Sequence, residues 1–132
     1  MIRKIRSKYS GVLEITYDRG QKVLDSRNTS YSYGNLQRVW DKVLQRIRIK
    51  DVSRTLILGM GAGSSIQLLR EKYNYDRKIV AVELDPVIVE IARDEFGIRP
   101  DNNLRIETTD AAEYVSRKTR KFDLILIDLV ID

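Results

Sequence analysis

The sequence predicts an open, mainly parallel α/β sheet, and three observations predict it. Short β-branched runs alternate with helical stretches in one regular succession from residue 54 to residue 127. Most of those runs are almost wholly apolar, as strands covered on both faces must be. The first run passes into its helix through Gly59, Gly61 and Gly63, three alternating glycines where an ordinary connection needs one. At 132 residues the chain suits one domain with a real core.

Ahead of that succession, Val12, Leu13, Ile15 and Tyr17 alternate with polar residues. Lys22-Val23-Leu24 follows beyond Asp18-Arg19-Gly20, so the pair reads as a β-hairpin with Asp and Gly in its turn. Asn28 to Gly34 is polar and tyrosine-rich and reads as a loop. From Asn35, the residues Leu36, Val39, Trp40, Val43, Leu44 and Ile47 recur at helical spacing and predict one buried face. The boundary expected from this is a hairpin and loop over 1–34 and a ligand-binding unit over 35–132.

Within the second part, Arg54 to Leu58 reads as the first parallel strand and Ser64 to Tyr73 as its helix. Lys78 to Glu83 is the second strand and Pro86 to Phe96 the second helix, with Pro86 at a first-turn position where its missing amide costs nothing. Asn103 to Glu107 is a weaker third strand, carrying only Leu104 and Ile106 as apolar residues. Asp110 is placed to cap a short helix to Lys118, and Phe122 to Ile127 reads as a fully buried fourth strand. The sequence stops at Asp132, just past a strand that belongs inside a sheet. The expectation is a truncated domain whose sheet edge is covered, for instance by a second copy in a homo-oligomer.

Composition narrows the chemistry. The chain has no cysteine and no histidine, which excludes disulfides, zinc sites of the usual kind, and thiol or imidazole catalysis. No metal site is expected, and acid–base work falls to carboxylates, tyrosines or lysines. Residues 1–50 carry twelve Lys or Arg against four Asp or Glu, a balance of +8, while the remainder stands at −3. The basic third is either a solvated surface or a face for nucleic acid. No run of eighteen apolar residues and no apolar core behind the basic N-terminus are present, so neither a membrane span nor a secretory signal is expected, and the location expected is cytoplasmic.

Ligands in open α/β sheets bind beyond the carboxyl ends of the strands, where strand order reverses. Four polar features fall there: the glycine turn, Glu83 with Asp85, Asp110, and Asp128. Glycines let a turn take positive φ and admit a ligand without a Cβ in the way, and the first helical amides are expected to be free donors. Glu83 stands twenty residues after Gly63, where an acidic side chain accepts both hydroxyls of a ribose, or else pairs with Arg77 or Lys78. Asp85 reads as the cap of the helix begun by Pro86. Asp110, followed by Ala111, is a helix cap, an acceptor for the exocyclic amine of an adenine, or both. Asp128 is expected to project from a buried strand end into a reaction cleft, or else to serve as a helix cap or salt-bridge partner for a following segment. Ser64 occupies the place of the third glycine of GxGxxG, which argues against a dinucleotide and for a nucleoside.

Val80-Ala81-Val82-Glu83-Leu84-Asp85-Pro86, Asp110-Ala111 and Phe122-Asp123-Leu124-Ile125-Leu126-Ile127-Asp128, with the glycine turn, resemble the class I S-adenosylmethionine-dependent methyltransferase superfamily, and most of all its spermidine-synthase-like branch. The resemblance covers nearly the whole chain, with Tyr9 to Tyr33 similar to the hairpin and loop that precede the nucleotide-binding unit in that branch. It implies a Rossmann-like methyltransferase fold and S-adenosylmethionine, or its decarboxylated form, as cofactor. It also implies Gly59, Gly61 and Gly63 along the methionine, Glu83 on the ribose, Asp110 and Ala111 on the adenine, and Asp128 facing the reacting centre, with a small-molecule acceptor. The pattern departs from true aminopropyltransferases, which usually have glutamine where this chain has Ser10 and Gly34, a histidine in the following helix, and a second aspartate after Asp128 at an offset this chain does not match. A methyltransferase is therefore expected first. Aminopropyl transfer, a non-catalytic nucleoside-binding domain and an RNA-modifying methyltransferase stand as alternatives.

Overall fold

The computed structural model describes residues 3–26, 29–117 and 120–129. The basic N-terminus is itself a strand, β1 (Arg3–Ser7), which pairs antiparallel with β2 (Gly11–Asp18). β2 turns through Arg19 and Gly20, both at positive φ, into β3 (Gln21–Ser26). The predicted hairpin is thus β2 and β3. The stretch expected as loop carries a further strand, β4 (Thr29–Ser32), paired with β3 across a register shift at Leu24 and Asp25. Backbone pairing to β3 decides this segment, and the polarity of its side chains does not. The result is a four-stranded meander, β1-β2-β3-β4. Arg27 and Asn28 lie outside the described residues.

α1 (Gly34–Leu44) follows, as its spacing predicts, but its apolar face is only partly covered. Leu44 is fully buried, whereas Val39 and Val43 are 57 % and 42 % exposed. A 3-10 turn, Ile49–Asp51, leads into β5 (Arg54–Leu58), and the glycine turn into α2 (Ser64–Gln67). The single helix expected over Ser64 to Tyr73 changes character midway: Leu68–Lys72 is a π-turn, which closes a wider ring than an α-helix. β6 (Lys78–Glu83), α3 (Pro86–Phe96), β7 (Leu104–Thr108), α4 (Ala111–Arg117) and β8 (Leu124–Ile127) complete the alternation. α3 is capped as predicted, with the Asp85 carboxylate accepting the Val87 amide at 2.9 Å and Gly97 ending it at φ 70°.

The second sheet is parallel, in the order β7-β6-β5-β8. The chain steps outward from β5 to β6 and β7, then returns to lay β8 on the other side of β5. The reversal therefore falls between β5 and β8. Leu44, Ile57, Ile66, Leu69, Ile79, Ala81, Ala92 and Leu126 form the main core on one face of this sheet. A second cluster joins Leu13, Ile15, Val23, Leu24 and Tyr33 of the meander and its end to Ala62, Ile88 and Ile91. The meander is therefore seated on the glycine turn and α3. β8 departs from the fully buried strand expected: Leu126 is buried, but Ile125 and Ile127 are 49 % and 60 % exposed, because β8 has a neighbour on one side only among the described residues. Val130 to Asp132, the end of the apolar run, lie outside the described residues.

Candidate active site

The carboxyl ends of β5, β6, β7 and β8 bring the sequence-predicted groups to one end of the parallel sheet. Gly59, Gly61 and Gly63 all take positive φ, at 90°, 57° and 94°. Two of them are demanded by the protein itself. A Cβ on Gly59 would lie 2.1 Å from the carbonyl oxygen of Asp128, so this glycine lets the end of β8 close on the turn. A Cβ on Gly63 would lie 2.5 Å from Cγ1 of Ile98, which packs beneath the start of α2. The job of close packing done by the third glycine of a dinucleotide turn thus falls one position earlier, before Ser64.

The amides of the turn itself, ahead of the first helical residue Ser64, are paired. Those of Gly59 and Met60 both donate to the Val82 carbonyl at 2.9 Å, and that of Gly63 to Met60 at 3.1 Å. The Gly61 amide donates to Oε1 of Glu83 at 2.9 Å, and the Ala62 amide to Oγ of Ser32 at 2.6 Å. Five consecutive amides are spent on holding the turn's shape, as the cost of burying an unpaired N–H requires.

Glu83 is a buried acid of the site, held at both of its oxygens. It is 7 % exposed, and it pairs with neither Arg77 nor Lys78. Its two oxygens accept one amide each, Oε1 from Gly61 and Oε2 from Asp85 at 3.0 Å. Burial pushes its carboxyl above the ordinary glutamate range, opposed by the amides of Asp85 and Gly61. A carboxylate has roughly four acceptor positions, so each oxygen keeps capacity for a hydroxyl. Asp85, beside it, is 2 % exposed and receives the hydroxyls of Ser7 and of Ser10, the latter at 2.5 Å, besides capping α3. It ties the β1–β2 turn to the second strand's end.

Asp110 caps α4, its carboxylate accepting the Glu113 amide at 3.0 Å, and Ala111 begins that helix. Asp128 follows β8, its own amide donating to Leu58 at 2.8 Å. Its Oδ2 accepts the indole N–H of Trp40 at 3.1 Å. Burial pushes the Asp128 carboxyl up, and the Trp40 hydrogen bond pulls it back. Trp40 reads in the sequence as one more residue of a buried stripe, and nothing in spacing marks it as a partner of Asp128. Ser32 and Tyr33 were likewise hidden in a predicted loop. The described residues hold no group of three or more acidic, Cys or His side chains able to take a metal ion.

No family model matches the chain. A polyamine aminopropyltransferase of Vibrio vulnificus is 41 % identical over 78 residues, which is 57 % of this chain and 26 % of that protein. An eEF1A lysine and N-terminal methyltransferase of Danio rerio is 32 % identical over 78 residues, 56 % of this chain and 11 % of that protein. A probable spermidine synthase structure from Corynebacterium glutamicum superposes with a TM-score of 0.79 at 22 % identity, covering 98 % of this chain and 52 % of that one. The chain thus spans about half the length of that structure and less of the curated relatives. The sequence relatives are both aminopropyltransferases and methyltransferases, the chain shares its fold from meander to β8 with the spermidine synthase structure, and both findings support the resemblance to the spermidine-synthase-like branch of the class I S-adenosylmethionine-dependent methyltransferases.

Proposed function

We propose that the chain is the cofactor-binding part of an S-adenosylmethionine-dependent methyltransferase acting on a small molecule in the cytoplasm. The observation that carries the reading is Glu83, a buried carboxylate locked by two backbone amides at the second strand's end. Such a group fits the vicinal hydroxyls of a ribose, since both oxygens are fixed and each retains acceptor capacity. In this reading Asp110 and Ala111 hold the adenine, and Gly59, Gly61 and Gly63 shape the wall along the methionine. When bound, the cofactor supplies a methyl carbon activated by the neighbouring sulfonium.

The protein's own part is positioning and proton management. Trp40 occupies Oδ2 of Asp128, which leaves Oδ1 to orient the incoming nucleophile and take its proton. The half-buried setting that raises the carboxyl's pKa makes it a better base for this purpose.

Two observations favour methyl over aminopropyl transfer. Gly34 stands at φ 57°, and a Cβ there would meet Val23 at 3.2 Å and Asp18 at 3.3 Å, so a glutamine at this position would be strained. The hydroxyl of Ser10 is committed to Asp85. Aminopropyl transfer from the decarboxylated cofactor is the second reading, favoured by the identity to the Vibrio vulnificus protein. The basic third gives less support to an RNA substrate, because Arg3 and Lys22 both pair with Glu95 and Lys4 with Glu14.

Calorimetry with S-adenosylmethionine, its decarboxylated form and NAD tests the proposal. Preference for S-adenosylmethionine is expected; preference for the decarboxylated form selects the second reading, and binding of NAD alone rejects both. Glu83→Ala should weaken nucleoside binding by well over tenfold, since hydrogen bonds to a charged group contribute about 1.5–3 kcal/mol each. Glu83→Gln, which keeps an acceptor for Gly61, should weaken it less. Unchanged affinity in both removes Glu83 from the site.

A further inference from the structure

The glycine turn is held from outside its own unit. Ala62 sits between Gly61 and Gly63, both at positive φ. The two peptide groups on either side of Ala62 therefore each adjoin a glycine, where a peptide plane rotates at little steric cost. Rotation of either would turn the N–H and the carbonyl oxygen of that peptide to opposite sides of the turn, and so change the polar groups the turn presents. Each peptide is pinned by a different side chain from the end of the meander. The Ala62 amide donates to Oγ of Ser32 at 2.6 Å, fixing the first. The Tyr33 hydroxyl donates to the Ala62 carbonyl at 3.0 Å, fixing the second.

Both side chains are themselves packed into the interior. Ser32 and Tyr33 are 1 % and 2 % exposed. The Tyr33 ring stacks on Phe96 with centroids 4.4 Å apart and planes 8° from parallel. Tyr33 also holds φ at 71°, a conformation rare for a residue with a Cβ, which persists only where surrounding contacts fix it. Gln37, at the start of α1, extends the brace by donating to the Ser64 carbonyl at 3.3 Å and to Gln67 at 2.7 Å.

We infer that Ser32 and Tyr33 are positioning residues for the ligand site: acting through the Ala62 peptides, they set the affinity of the glycine turn for its nucleoside. The inference rests on the function proposed above for the ligand's identity, but the clamp is measurable without any ligand. Each hydroxyl is committed to a backbone atom of Ala62, so the effect proposed travels through backbone orientation.

The test uses the full chain with Ser32→Ala, Ser32→Thr and Tyr33→Phe. Hydrogen exchange of the Ala62 amide is read by NMR on ligand-free protein, and affinity for S-adenosylhomocysteine by calorimetry. Ser32→Ala should speed exchange of Ala62 at least tenfold relative to amides of β5 and weaken binding about tenfold. Ser32→Thr, which restores the hydroxyl, should recover both. Tyr33→Phe keeps the ring stack and should weaken binding about fivefold. Fast exchange with unchanged affinity would show that the clamp serves folding only and would overturn the inference. Wild-type exchange in Ser32→Ala overturns it whatever the ligand. A wild-type protein that binds no nucleoside refutes the proposed function instead, and Ala62 exchange still decides the clamp.

Discussion

Gly59→Ala separates a glycine kept for a ligand from one kept for a strand. A Cβ at this position would stand 2.1 Å from the Asp128 oxygen and 2.7 Å from its carbonyl carbon, and backbone cannot yield as a side-chain tip can. Relief requires the end of β8 to retreat by about 1 Å, given the close packing of protein interiors. That movement breaks the 2.8 Å hydrogen bond from the Asp128 amide to Leu58. The lost bond costs about 0.5–1.5 kcal/mol, and the left-handed φ of an alanine adds about 1–2 kcal/mol. The destabilisation expected is about 3 kcal/mol, a loss of about a hundredfold or more in the folded-to-unfolded ratio. Gly97→Ala supplies the control, since Gly97 has φ 70° but nothing within 4 Å of its Cβ direction. It should cost about 1 kcal/mol, the conformational part alone. Urea unfolding followed by circular dichroism, without ligand, measures both. A Gly59→Ala midpoint matching that of Gly97→Ala would refute the argument and return Gly59 to the ligand.

Asp128→Asn should raise the melting temperature at neutral pH while abolishing transfer. A carboxyl whose folded pKa is raised contributes stability below its unfolded pKa and loses it as pH rises through the folded value, so the neutral amide removes a penalty present at pH 7. A lower melting temperature would contradict this. Trp40→Phe removes the hydrogen bond that pulls the Asp128 pKa down, so the acidic limb of the pH–rate profile should move to higher pH. An unmoved limb would detach Asp128 from that limb. Asp85→Ala deletes a helix cap and orphans two hydroxyls, and should cost about 2 kcal/mol or more by thermal unfolding. Asp85→Asn should recover much of that loss, and equal losses would deny the role of the acceptor oxygens.

The parallel unit was legible because its signals are local. Lys78 to Glu83 and Pro86 to Phe96 match β6 and α3 at both ends, where a β-branched run, a capping aspartate and a following proline all agree. The meander was half legible. β2 and β3 alternate, but β4 is four residues of Thr, Ser and Tyr whose strand state comes from pairing with β3. Val39 and Val43 misled for a related reason: periodicity names the apolar face of a helix but not how much of it a neighbour covers. In the site, Glu83, Asp85 and Asp110 could be placed at strand ends from order along the chain. The contacts of Ser32 and Tyr33 with Ala62, and of Trp40 with Asp128, join segments far apart in sequence, and no single-chain pattern encodes them.

The position of β5 between β6 and β8 also orders the assembly of the molecule in time. The meander pairs neighbours in sequence, and β5 can join β6 once residue 83 exists. The partner on its other side is joined through pairs such as Thr55 with Leu124, so that edge stays open until residue 127 has been made. Closing so long a loop costs more entropy than any hairpin step and comes late. Asp128 arrives with that strand. During synthesis, the turn proposed to bind the nucleoside can therefore take shape before the carboxylate proposed to act on the acceptor is in place.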